Sequence, residues 1–557
     1  MKIKVYHNGD DTFIAWKPAG IIKDCRGFAL MRKRNGVEEV VSTWVGFADQ
    51  EHQEGERRAS TNWPIQKYQW TDYMAKPGDK LSYRVLPMVG PDRDNLRPDA
   101  ASASDWTPEV ELTRQFEPKI EAYFNRGIVA AQWVSRRLDS APGDLKSKKL
   151  RTEIDTPGSP LRNYLFGPLG ERLFELLAAA AADKREIYAV LFELNDPQLE
   201  PALEKLGKRA HLVLANGSIK KKDGDENEAA RARLKGKIDL HDRMLPRGVL
   251  GHNKFMVVCD GNKKPRWIWT GSQNWTTTGL CTQANNSVLI DDPHLAREYV
   301  AQWHLLKDAA NTTPPELKTS NSTPRKSTIG GNSGAPAGLW FTPTIGQVDL
   351  NEARDIIAGA KHAILFLMFN PGPKDTLLNQ IIDTARAGSP DGQLYIRGVL
   401  NQDPGTTANP VMLFDSENQK KADFEVVLPA AIDAPTKWFR SEMKKLPGTF
   451  AMVHSKVVLV DPFSDHPTLM TGSHNLGPKA SGTNDENLLI IRDAPGLAAA
   501  YATNIMAIYN QYRWRFRRAV QPKAKRWDGL EDGDGWQKGY FKKGTAALRE
   551  INFWVGE

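Results

Sequence analysis

Two stretches of the sequence place a histidine and a lysine two residues apart, directly before an apolar run. The first stretch is GHNKFMVVCD, with His252 and Lys254, and the second is MVHSKVVLVD, with His454 and Lys456. Alternate residues of a β-strand point to the same face, so each histidine is expected to project together with its lysine. Burying polar side chains is costly unless they have partners, so such a pair at the end of a buried strand needs a reason. The pattern predicts chemistry at the start of both strands.

Each stretch is followed by a second matching phrase. TGSQNW, with Ser272 and Asn274, follows the first stretch, and TGSHNL, with Ser473 and Asn475, follows the second. For a single copy, a core histidine and a lysine at a strand edge would be the simpler interpretation. Because the whole pattern occurs twice at matching offsets, we predict instead that the two copies face each other and form one catalytic site.

These residues resemble the two HKD motifs of the phospholipase D superfamily, H-x-K-x4-D followed by G-S-x-N. The first copy has one additional residue, so Cys259 holds the usual aspartate position and Asp260 follows it. The resemblance covers roughly residues 117–520, and it does not select a substrate within the superfamily. The second copy matches the pattern throughout, at His454, Lys456, Asp461, Gly472, Ser473 and Asn475.

The resemblance implies a two-step cleavage of a phosphodiester. One histidine attacks phosphorus and forms a phosphohistidine, the other protonates the leaving oxygen, and water then hydrolyses the intermediate. The lysines and asparagines would neutralise the non-bridging phosphate oxygens, so no metal ion and no other cofactor is expected. The expected catalytic group is His252, Lys254, His454, Lys456, Asn274, Asn475 and Glu486. Support of the phosphate pocket is expected from Ser272, Ser473, Asn285, Asp260 and Asp461.

The two copies differ at one position that the resemblance makes informative. Glu486 follows Ser473 at the same offset at which Asn285 follows Ser272, and in the family a glutamate here hydrogen-bonds a catalytic histidine. A carboxylate partner raises the pKa of a histidine, whereas a neutral amide does not. We therefore predict that Glu486 backs His454 as the general acid. Asn285, or nearby Gln283, would back His252 as the neutral nucleophile.

The elements that must position these residues follow from the order of apolar runs. Residues 1–116 contain short alternating strands with turn residues between them, which predicts an all-β sandwich with a loose resemblance to a fibronectin type III module. This module could be a recognition or spacer module, or a cap packed on the catalytic part. From about residue 117, strands such as GIVAAQWV (127–134) alternate with helices, which indicates βαβ units and a mostly parallel sheet.

The same order of elements occurs twice, so we predict an α/β fold with two pseudo-repeated mixed-sheet αβα halves behind the sandwich. The first half is expected over 117–315 and the second over 338–520. Residues 316–337 are rich in Pro, Ser, Thr and Gly and are predicted to be a linker. The aromatic-rich segment 521–557 is predicted to be a tail packed on the catalytic domain.

Composition narrows the class of protein and its partners. The chain has 557 residues, a net charge of +8 and a pI near 9.1, which favours an anionic partner. The cysteines, Cys25, Cys259 and Cys281, have neither metal-ligand nor disulfide spacing. No apolar run is long enough for a transmembrane helix, and the first residues lack a secretory h-region. The cytoplasm is therefore the expected location, with export by a route without a cleaved signal left open.

Three functions are compatible with the motifs. The first is phospholipase D-type hydrolysis of a phospholipid headgroup ester, the second is a nuclease of the same superfamily, and the third is a non-catalytic binding protein. The run Lys220–Lys222 would favour nucleic acid, but acidic residues follow it at once. Apolar loops at 371–378 and 438–440 would favour a lipid. Because one chain carries both half-sites, a monomer is expected to suffice, without an obligate partner chain.

His241 and Arg243 could line the cleft, and His474 is expected to point away from it.

Overall fold

The computed structural model describes residues 1–127, 134, 138, 146–219, 224–388, 394–401, 422–427, 451–520 and 529–557, except residues 52, 54 and 55. Most of the strand expected at 127–134, the run Lys220–Lys222 and the loop at 438–440 lie outside the described residues. Among the described helices, none is both long and apolar enough to cross a membrane.

The N-terminal region is built from antiparallel sheets, as the sequence predicts. One sheet has the strand order β1-β2-β7, and another has the order β10-β8-β3-β4, with β9 paired to β8. Ile14 and Trp16 of β2 pack in one cluster with Phe28 of β3 and Tyr83 of β8, so the two sheets face each other. The fibronectin type III resemblance stays a prediction. The strands are β1 Lys2–His7, β2 Thr12–Lys17, β3 Cys25–Arg34, β4 Val37–Val40, β5 Ser42–Thr43, β6 Arg58–Ala59, β7 Gln69–Asp72, β8 Lys80–Val89, β9 Arg97–Pro98 and β10 Val110–Glu111.

The next region forms the first of two large mixed sheets. The strands of this region are β11 Gln115–Glu117, β12 Ile120–Phe124, β13 Ile187–Leu191, β14 Leu194–Asn195, β15 Ala210–Ala215, β16 Asp239–Arg243, β17 Lys254–Cys259, β18 Pro265–Gly271, β19 Trp275–Thr276, β20 Gln283–Ala284 and β21 Asn286–Asp291, and all except β14, β19 and β20 belong to the large sheet. Its helices are α1 Lys146–Asp155, α2 Pro160–Ala182, α3 Leu199–Leu206, α4 Glu228–Leu234, α5 Thr277–Cys281 and α6 Pro293–Ala309, and a 3-10 turn spans Gly207–Arg209.

The second large sheet and its helices repeat this plan. The strands of this region are β22 Arg325–Ile329, β23 Ala335–Phe341, β24 Ala363–Met368, β25 Leu394–Leu400, β26 Ala422–Val427, β27 Met452–Val453, β28 Val457–Val460, β29 Thr468–Gly472 and β30 Asn487–Arg492, and all except β27 belong to the large sheet. Its helices are α7 Pro315–Asn321, α8 Val348–Ala358, α9 Leu377–Ala387, α10 Pro478–Gly482 and α11 Pro495–Val520. The tail adds a 3-10 turn at Gly535–Gln537, α12 Lys538–Phe541 and α13 Ala546–Val555.

The duplication predicted from the motifs is visible strand by strand. The first sheet has the order β11-β12-β21-β18-β17-β13-β15-β16, and the second has the order β22-β23-β30-β29-β28-β24-β25-β26. In each sheet only the last two pairings are parallel, so the expectation of mostly parallel sheets is wrong. The reason is that the chain returns from each motif strand by a short hairpin rather than by a helical crossover.

The predicted linker at 316–337 is also corrected. It contains α7 and β22, and β22 pairs antiparallel with β23 at the edge of the second sheet. An edge strand keeps one side in solvent, so its polar composition resembles that of a loop. The first half likewise begins at β11, slightly before the predicted boundary.

The two sheets share one hydrophobic core, and both motif strands contribute buried residues to it. Phe255 and Val257 of β17 lie in the same buried cluster as Val458 of β28 and Ile490 of β30. The alternate residues of β17, Met256 and Val258, face α2 instead. β17 is therefore buried on both faces, as the run FMVV predicts.

The C-terminal tail packs between the N-terminal module and the second half, not on the catalytic halves alone. Trp554 of α13 packs against Phe13 and donates a hydrogen bond from Nε1 to the Tyr395 hydroxyl, at 3.2 Å. Trp536 and Tyr540 pack with the core of the N-terminal module. Because β2 is covered on one face by its own module and on the other by this shared core, the module is an integral part of the molecule.

Candidate active site

The two histidine–lysine pairs lie at the start of β17 and β28, next to the ends of β13 and β24. In register, Lys254 lies opposite Leu191, the last residue of β13. The next residue, Phe192, packs its ring 4.6 Å from the His252 ring and 4.7 Å from Lys254 Nζ. An ammonium over an aromatic face gains a favourable electrostatic contact, so the ring helps to fix the lysine.

The second half repeats this arrangement. Phe369 directly follows β24, and its ring lies 4.7 Å from the His454 ring and 4.8 Å from Lys456 Nζ. All four motif side chains are nearly fully buried, with exposures of 1 to 3%. Sequence analysis missed both phenylalanines, although an alignment of the two halves on their motifs would have shown an aromatic residue after each preceding strand.

Each histidine is held by the opposite half of the chain. His252 Nδ1 lies 2.7 Å from Glu486 Oε2, and His454 Nδ1 lies 2.9 Å from Asn285 Oδ1. The pairing predicted from the sequence, with Glu486 behind His454 and Asn285 behind His252, is therefore wrong. The partners are exchanged between the halves, so neither half can form a complete site without the other.

The exchange has a backbone cause at His454. Residues 283–284 of the first half form β20, which pairs in parallel with β27 of the second half. The backbone N–H groups of His454 and Ser455 both donate to the Ala284 carbonyl, at 3.0 and 2.9 Å. Asn285 is the next residue along the chain, so this pairing delivers its amide to His454.

A matching contact brings Glu486 to His252. The backbone N–H of Asp485 donates to the Leu250 carbonyl at 2.9 Å, and the Leu250 N–H donates to Asn484 Oδ1 at 3.1 Å.

Two residues that sequence analysis missed hold the loops that carry Asn285 and Glu486. Asn125 accepts the Asn285 N–H at 2.8 Å, and Thr342 accepts the Glu486 N–H at 2.9 Å. They occupy equivalent positions, at the ends of β12 and β23.

The hydrogen bonds define the tautomer of both histidines. Asn285 Nδ2 donates to the Gly279 carbonyl, at 2.9 Å, which turns its Oδ1 toward His454. His454 Nδ1 must therefore carry the proton, and Nε2 keeps its lone pair. The carboxylate of Glu486 requires the same of His252 Nδ1. Both rings consequently carry the lone pair on Nε2.

Burial dominates the electrostatics of the site. It holds the pKa of both histidines well below the usual range, and the nearby lysine charges lower it further. Burial also lowers the pKa of Lys254 and Lys456 and raises that of Glu486 to about 7. Among the described residues, the only hydrogen-bond acceptors of the two ammonium groups are the His252 and His454 carbonyls, at 2.8 and 2.6 Å. The lysines are thus short of acceptors, as expected for an anion site.

The asparagines of the G-S-x-N phrases also have unused hydrogen-bonding capacity. Asn274 Nδ2 donates to Glu193 Oε2 at 2.8 Å, and Glu193 is a further residue that sequence analysis missed. Oδ1 of Asn274 and Oδ1 of Asn475 are buried without a partner in the described part of the chain. In that part, no group of three or more His, Cys, Asp or Glu residues is arranged to hold a metal ion.

The serines and aspartates of the motifs support the site from further away. Ser272 Oγ donates to Asn285 Oδ1 at 2.8 Å, and Ser473 Oγ accepts the Asn487 N–H at 3.0 Å. Both serines are fully buried, and their hydrogen bonds to Asn285 and Asn487 hold the exchanged loops.

The two motif aspartates do not lie in the phosphate pocket, which corrects the prediction for both. Asp461 follows the far end of β28, where its carboxylate accepts the backbone N–H groups of residues 361–363, at 2.7 to 2.9 Å. Asp260 lies in the turn between β17 and β18 and accepts two N–H groups of that turn. Five residues separate Asp260 from Lys254 and four separate Asp461 from Lys456, and strands rise about 3.3 Å per residue.

Arg243 does not line the cleft but joins the two halves. Its guanidinium lies 2.8 and 3.1 Å from the Asp485 carboxylate, and both side chains are almost fully buried. His241 pairs instead with Asp239, at 3.0 Å. His474 faces away from the cleft, as predicted, with Nε2 3.0 Å from Asp349.

Removing the Arg243 side of this pair is expected to destabilise the protein. Arg243→Met would leave the Asp485 carboxylate buried without its partner, which costs about 3–5 kcal/mol in free energy of unfolding. Arg247→Met, at an exposed position four residues on, is the control and should change little. Thermal unfolding of the three proteins measures the difference. Equal midpoints for wild type and Arg243→Met would show that the pair does not secure the contact between halves.

The duplicated sheet and the two histidine–lysine strands define a protein with two half-sites on the phospholipase D fold. The family model described as "Cardiolipin synthase, PLD-like domain" matches residues 162–305 and 354–511, which is more than half of the chain. The chain therefore belongs to the phospholipase D-like family.

Curated relatives match shorter stretches. A mitochondrial cardiolipin hydrolase from Canis lupus familiaris is 28% identical over 162 residues, which is 28% of this chain and 61% of that protein. A phospholipase D from Rickettsia conorii is 30% identical over 134 residues, 23% of this chain and 61% of that protein. The chain thus spans about three fifths of the length of these two relatives.

Similar solved structures include phosphatidylserine synthase from Haemophilus influenzae, with a TM-score of 0.42 and 13% identity over 65% of this chain and 90% of that chain. Another is Nuc from Salmonella typhimurium, a phospholipase D family member, with a TM-score of 0.23 and 18% identity over 32% of this chain and 97% of that chain.

Proposed function

We propose that the protein is a phosphodiesterase that works through a phosphohistidine on His252, without a metal ion. The observation that carries this proposal is the exchanged pairing, in which one buried histidine meets a carboxylate and the other an amide. When two groups of the same kind have different surroundings, their proton affinities differ, and one can act as an acid while the other acts as a nucleophile. A single chain supplies both groups, so a monomer suffices for this chemistry.

His252 is the nucleophile because Glu486 stabilises the charge that attack creates. When Nε2 bonds to phosphorus, the imidazole ring becomes cationic if Nδ1 keeps its proton. The adjacent carboxylate favours that cation, and it orients the ring so that the Nε2 lone pair faces the substrate. The sequence also predicted His252 as the nucleophile, but for a different reason. An amide was expected behind His252, whereas the structure has the Glu486 carboxylate there.

His454 is the general acid because its amide partner does not hold the proton tightly. In the free site, burial and the lysine charges keep His454 neutral. An entering phosphate anion offsets those charges, so His454 can gain a proton as the substrate binds. It gives that proton to the leaving oxygen while the phosphorus–oxygen bond breaks. It then takes a proton from water, whose oxygen attacks phosphorus as the bond to His252 breaks.

The lysines and asparagines are proposed to hold the non-bridging oxygens of the phosphate. Among the described residues, each ammonium group donates only to a backbone carbonyl, and Asn274 Nδ2 has a second N–H beyond its bond to Glu193, so donors remain for the phosphate oxygens. Charge-assisted hydrogen bonds are strong in such an environment and need little rearrangement during the reaction. A bound phosphate also restores the ordinary preference of the lysines for the charged form.

The substrate that this site fits best is a phospholipid, cleaved at its headgroup ester. The curated relatives are named phospholipase D and cardiolipin hydrolase. In addition, Glu193 lies beside the pocket and exposed Glu226 adds its charge to that side. A lipid brings one phosphodiester to these carboxylates, whereas a nucleic acid would bring several phosphates and meet repulsion.

A parallel assay tests this function. Wild type and His252→Ala would be compared on phosphatidylcholine vesicles, single-stranded DNA, duplex DNA and RNA, all with EDTA. The expected result is headgroup release from the vesicles by wild type alone, unaffected by EDTA, because no step requires a metal. Cleavage confined to nucleic acid would make the protein a nuclease, and activity that EDTA abolishes would contradict the mechanism.

A further inference from the structure

Glu193 is the largest difference between two half-sites that otherwise repeat each other. The pairs Phe192–Glu193 and Phe369–Asn370 follow the equivalent strands β13 and β24. Both phenylalanines contact the histidine and lysine of their half. The next residue is a partly buried carboxylate in the first half and an exposed amide in the second. Among the described residues, Glu193 forms no ion pair that would require an acid at this position, so the difference points to the substrate.

The carboxyl group of Glu193 holds an asparagine of the proposed phosphate pocket. It accepts a hydrogen bond from Asn274 Nδ2 at 2.8 Å, which decides that the amide nitrogen, not the oxygen, faces Glu193. One N–H of that nitrogen is used, and the other is available to a phosphate oxygen. Asn475 in the second half has no carboxylate partner at its equivalent position, among the described residues.

The charges around Glu193 come from three elements. Lys254 at the start of β17 and Lys456 before β28 attract its negative charge, while Glu226, in the loop after β15, repels it. Burial is the largest influence and raises the pKa of Glu193, which the two lysines only partly offset. The Asn227 side chain ties the loop of Glu226 to the Phe192 carbonyl, at 2.9 Å, so this neighbour is held in place.

A count of charges shows what substrate binding must do to this group. Even in the state in which both lysines are charged, ionised Glu193 and Glu486 cancel them, so these four groups give the free pocket no net positive charge. A phosphodiester brings one negative charge into a buried site, where an uncompensated charge is costly. Glu486 is committed to His252, whereas Glu193 can become neutral and still accept the Asn274 hydrogen bond through its carbonyl oxygen.

We propose that Glu193 positions Asn274 and takes up a proton when the phosphate group of the substrate enters the pocket. This inference rests on the proposed function, since it assumes that the pocket receives an anionic phosphate. The proton comes from solvent and adds to a carboxylate oxygen, and no other bond forms or breaks. Glu193 therefore acts as a positioning residue that also adjusts the charge of the site to its substrate.

The amide variant Glu193→Gln imitates the protonated state. Glutamine has the same shape, accepts the Asn274 hydrogen bond through Oε1 and carries no charge. We expect anion affinity in wild type to fall as the pH rises above neutrality, because each binding event must then take up this proton. Glu193→Gln should bind the anion more tightly than wild type at pH 8. The gain in affinity is up to about tenfold for each pH unit by which the pH exceeds the pKa of Glu193 in the free pocket.

The experiment is calorimetric titration with sulfate, a tetrahedral anion that does not itself titrate in this range. Repeating it at pH 8 in buffers of different ionisation enthalpy gives the number of protons taken up. His454 and the lysines contribute uptake in every variant, so the expected signal is about one proton fewer in Glu193→Gln. Asn370→Gln, at the equivalent exposed position of the second half, is the matched control and should behave as wild type.

Steady-state kinetics distinguish the positioning role of Glu193 from the effect of its charge. Glu193→Ala loses the acceptor for Asn274, so kcat should fall at every pH, whereas Glu193→Gln should restore kcat and alter only the pH dependence of KM. Equal proton uptake in wild type and Glu193→Gln, with sulfate bound by both, would overturn the inference and leave the proposed function intact. Absence of sulfate binding by folded wild type would overturn the anion site itself, and the inference with it.

Discussion

Replacement of His252 by alanine is expected to abolish turnover, with a loss in kcat of about 10⁴-fold or more. The variant lacks the atom that bonds to phosphorus, so no covalent intermediate can form. The loss should not depend on the leaving group, since attack fails for good and poor leaving groups alike. Release of choline from phosphatidylcholine and of p-nitrophenol from bis(p-nitrophenyl) phosphate measures the two cases.

The companion variant His454→Ala should behave differently with the two substrates. General acid catalysis contributes about 10²- to 10⁴-fold where the leaving group is a poor one, such as choline. A p-nitrophenolate ion leaves without a proton, so its release in the first turnover should largely survive. Hydrolysis of the intermediate also needs His454, so a phosphoenzyme should accumulate after the first release.

Mass spectrometry of that phosphoenzyme would locate the phosphoryl group. We expect it on His252, in the peptide that contains GHNK. His362→Ala, at an exposed histidine outside the site, is the control and should leave both activities unchanged. A phosphoryl group on His454, or equal slowing of first-turnover release of choline and of p-nitrophenol in His454→Ala, would contradict the assignment of the two roles.

Replacement of Glu486 by glutamine is expected to have the next largest effect. The variant keeps the shape of the side chain but removes the charge that stabilises the imidazolium of His252. Removal of the carboxylate from a comparable histidine–carboxylate pair lowers kcat by about 10⁴-fold, and we expect roughly 10²- to 10⁴-fold here. The loss should appear with p-nitrophenyl and choline esters alike, since it acts on attack.

The same variant should change the pH dependence of the reaction. Burial raises the pKa of Glu486 to about 7. The ionised form is the one that assists His252, so kcat/KM of the wild type should fall as the pH drops below about 7. In Glu486→Gln this acid limb should be absent. Its persistence would mean that another group causes it, and Glu193→Gln then tests the nearest carboxyl group.

The reciprocal variant Asn285→Asp distinguishes the observed pairing from the one expected from the sequence. A carboxylate behind His454 would hold its proton more tightly and should slow release of choline more than release of p-nitrophenol. If Glu486 instead served His454, Glu486→Gln would show that selective effect. The two substrates therefore report which histidine each partner serves.

Much of the site could be predicted because it is encoded locally. His252 and Lys254 share a strand, as do Ser272 and Asn274 in their phrase, so their relative positions follow from backbone periodicity alone. The occurrence of the same pattern around His454 predicted the duplication, which the strand orders of the two sheets confirm. The apolar run after each lysine likewise predicted the buried strands β17 and β28.

Other features depended on contacts between distant parts of the chain. The sequence alone does not show which histidine Glu486 meets. For its counterpart Asn285, the parallel contact of β20 with β27 decides that the partner is His454. Asp461 belongs to the motif, yet the strand carries it away from the pocket to cap a backbone turn. Glu193 is one acidic residue after a strand, and nothing local distinguishes it from a solvent-exposed residue.

The sequence by itself determined that the chain carries two sets of a histidine and a lysine at matching positions, because strand periodicity fixes neighbours two residues apart. Only the tertiary structure decided how the sets are combined. His252 and Glu486 are separated by 234 residues and meet because the two sheets share one core and exchange loops across it. Hydrogen-bond partners in a buried site are set by that packing, since only the folded chain brings an acceptor within reach of each histidine.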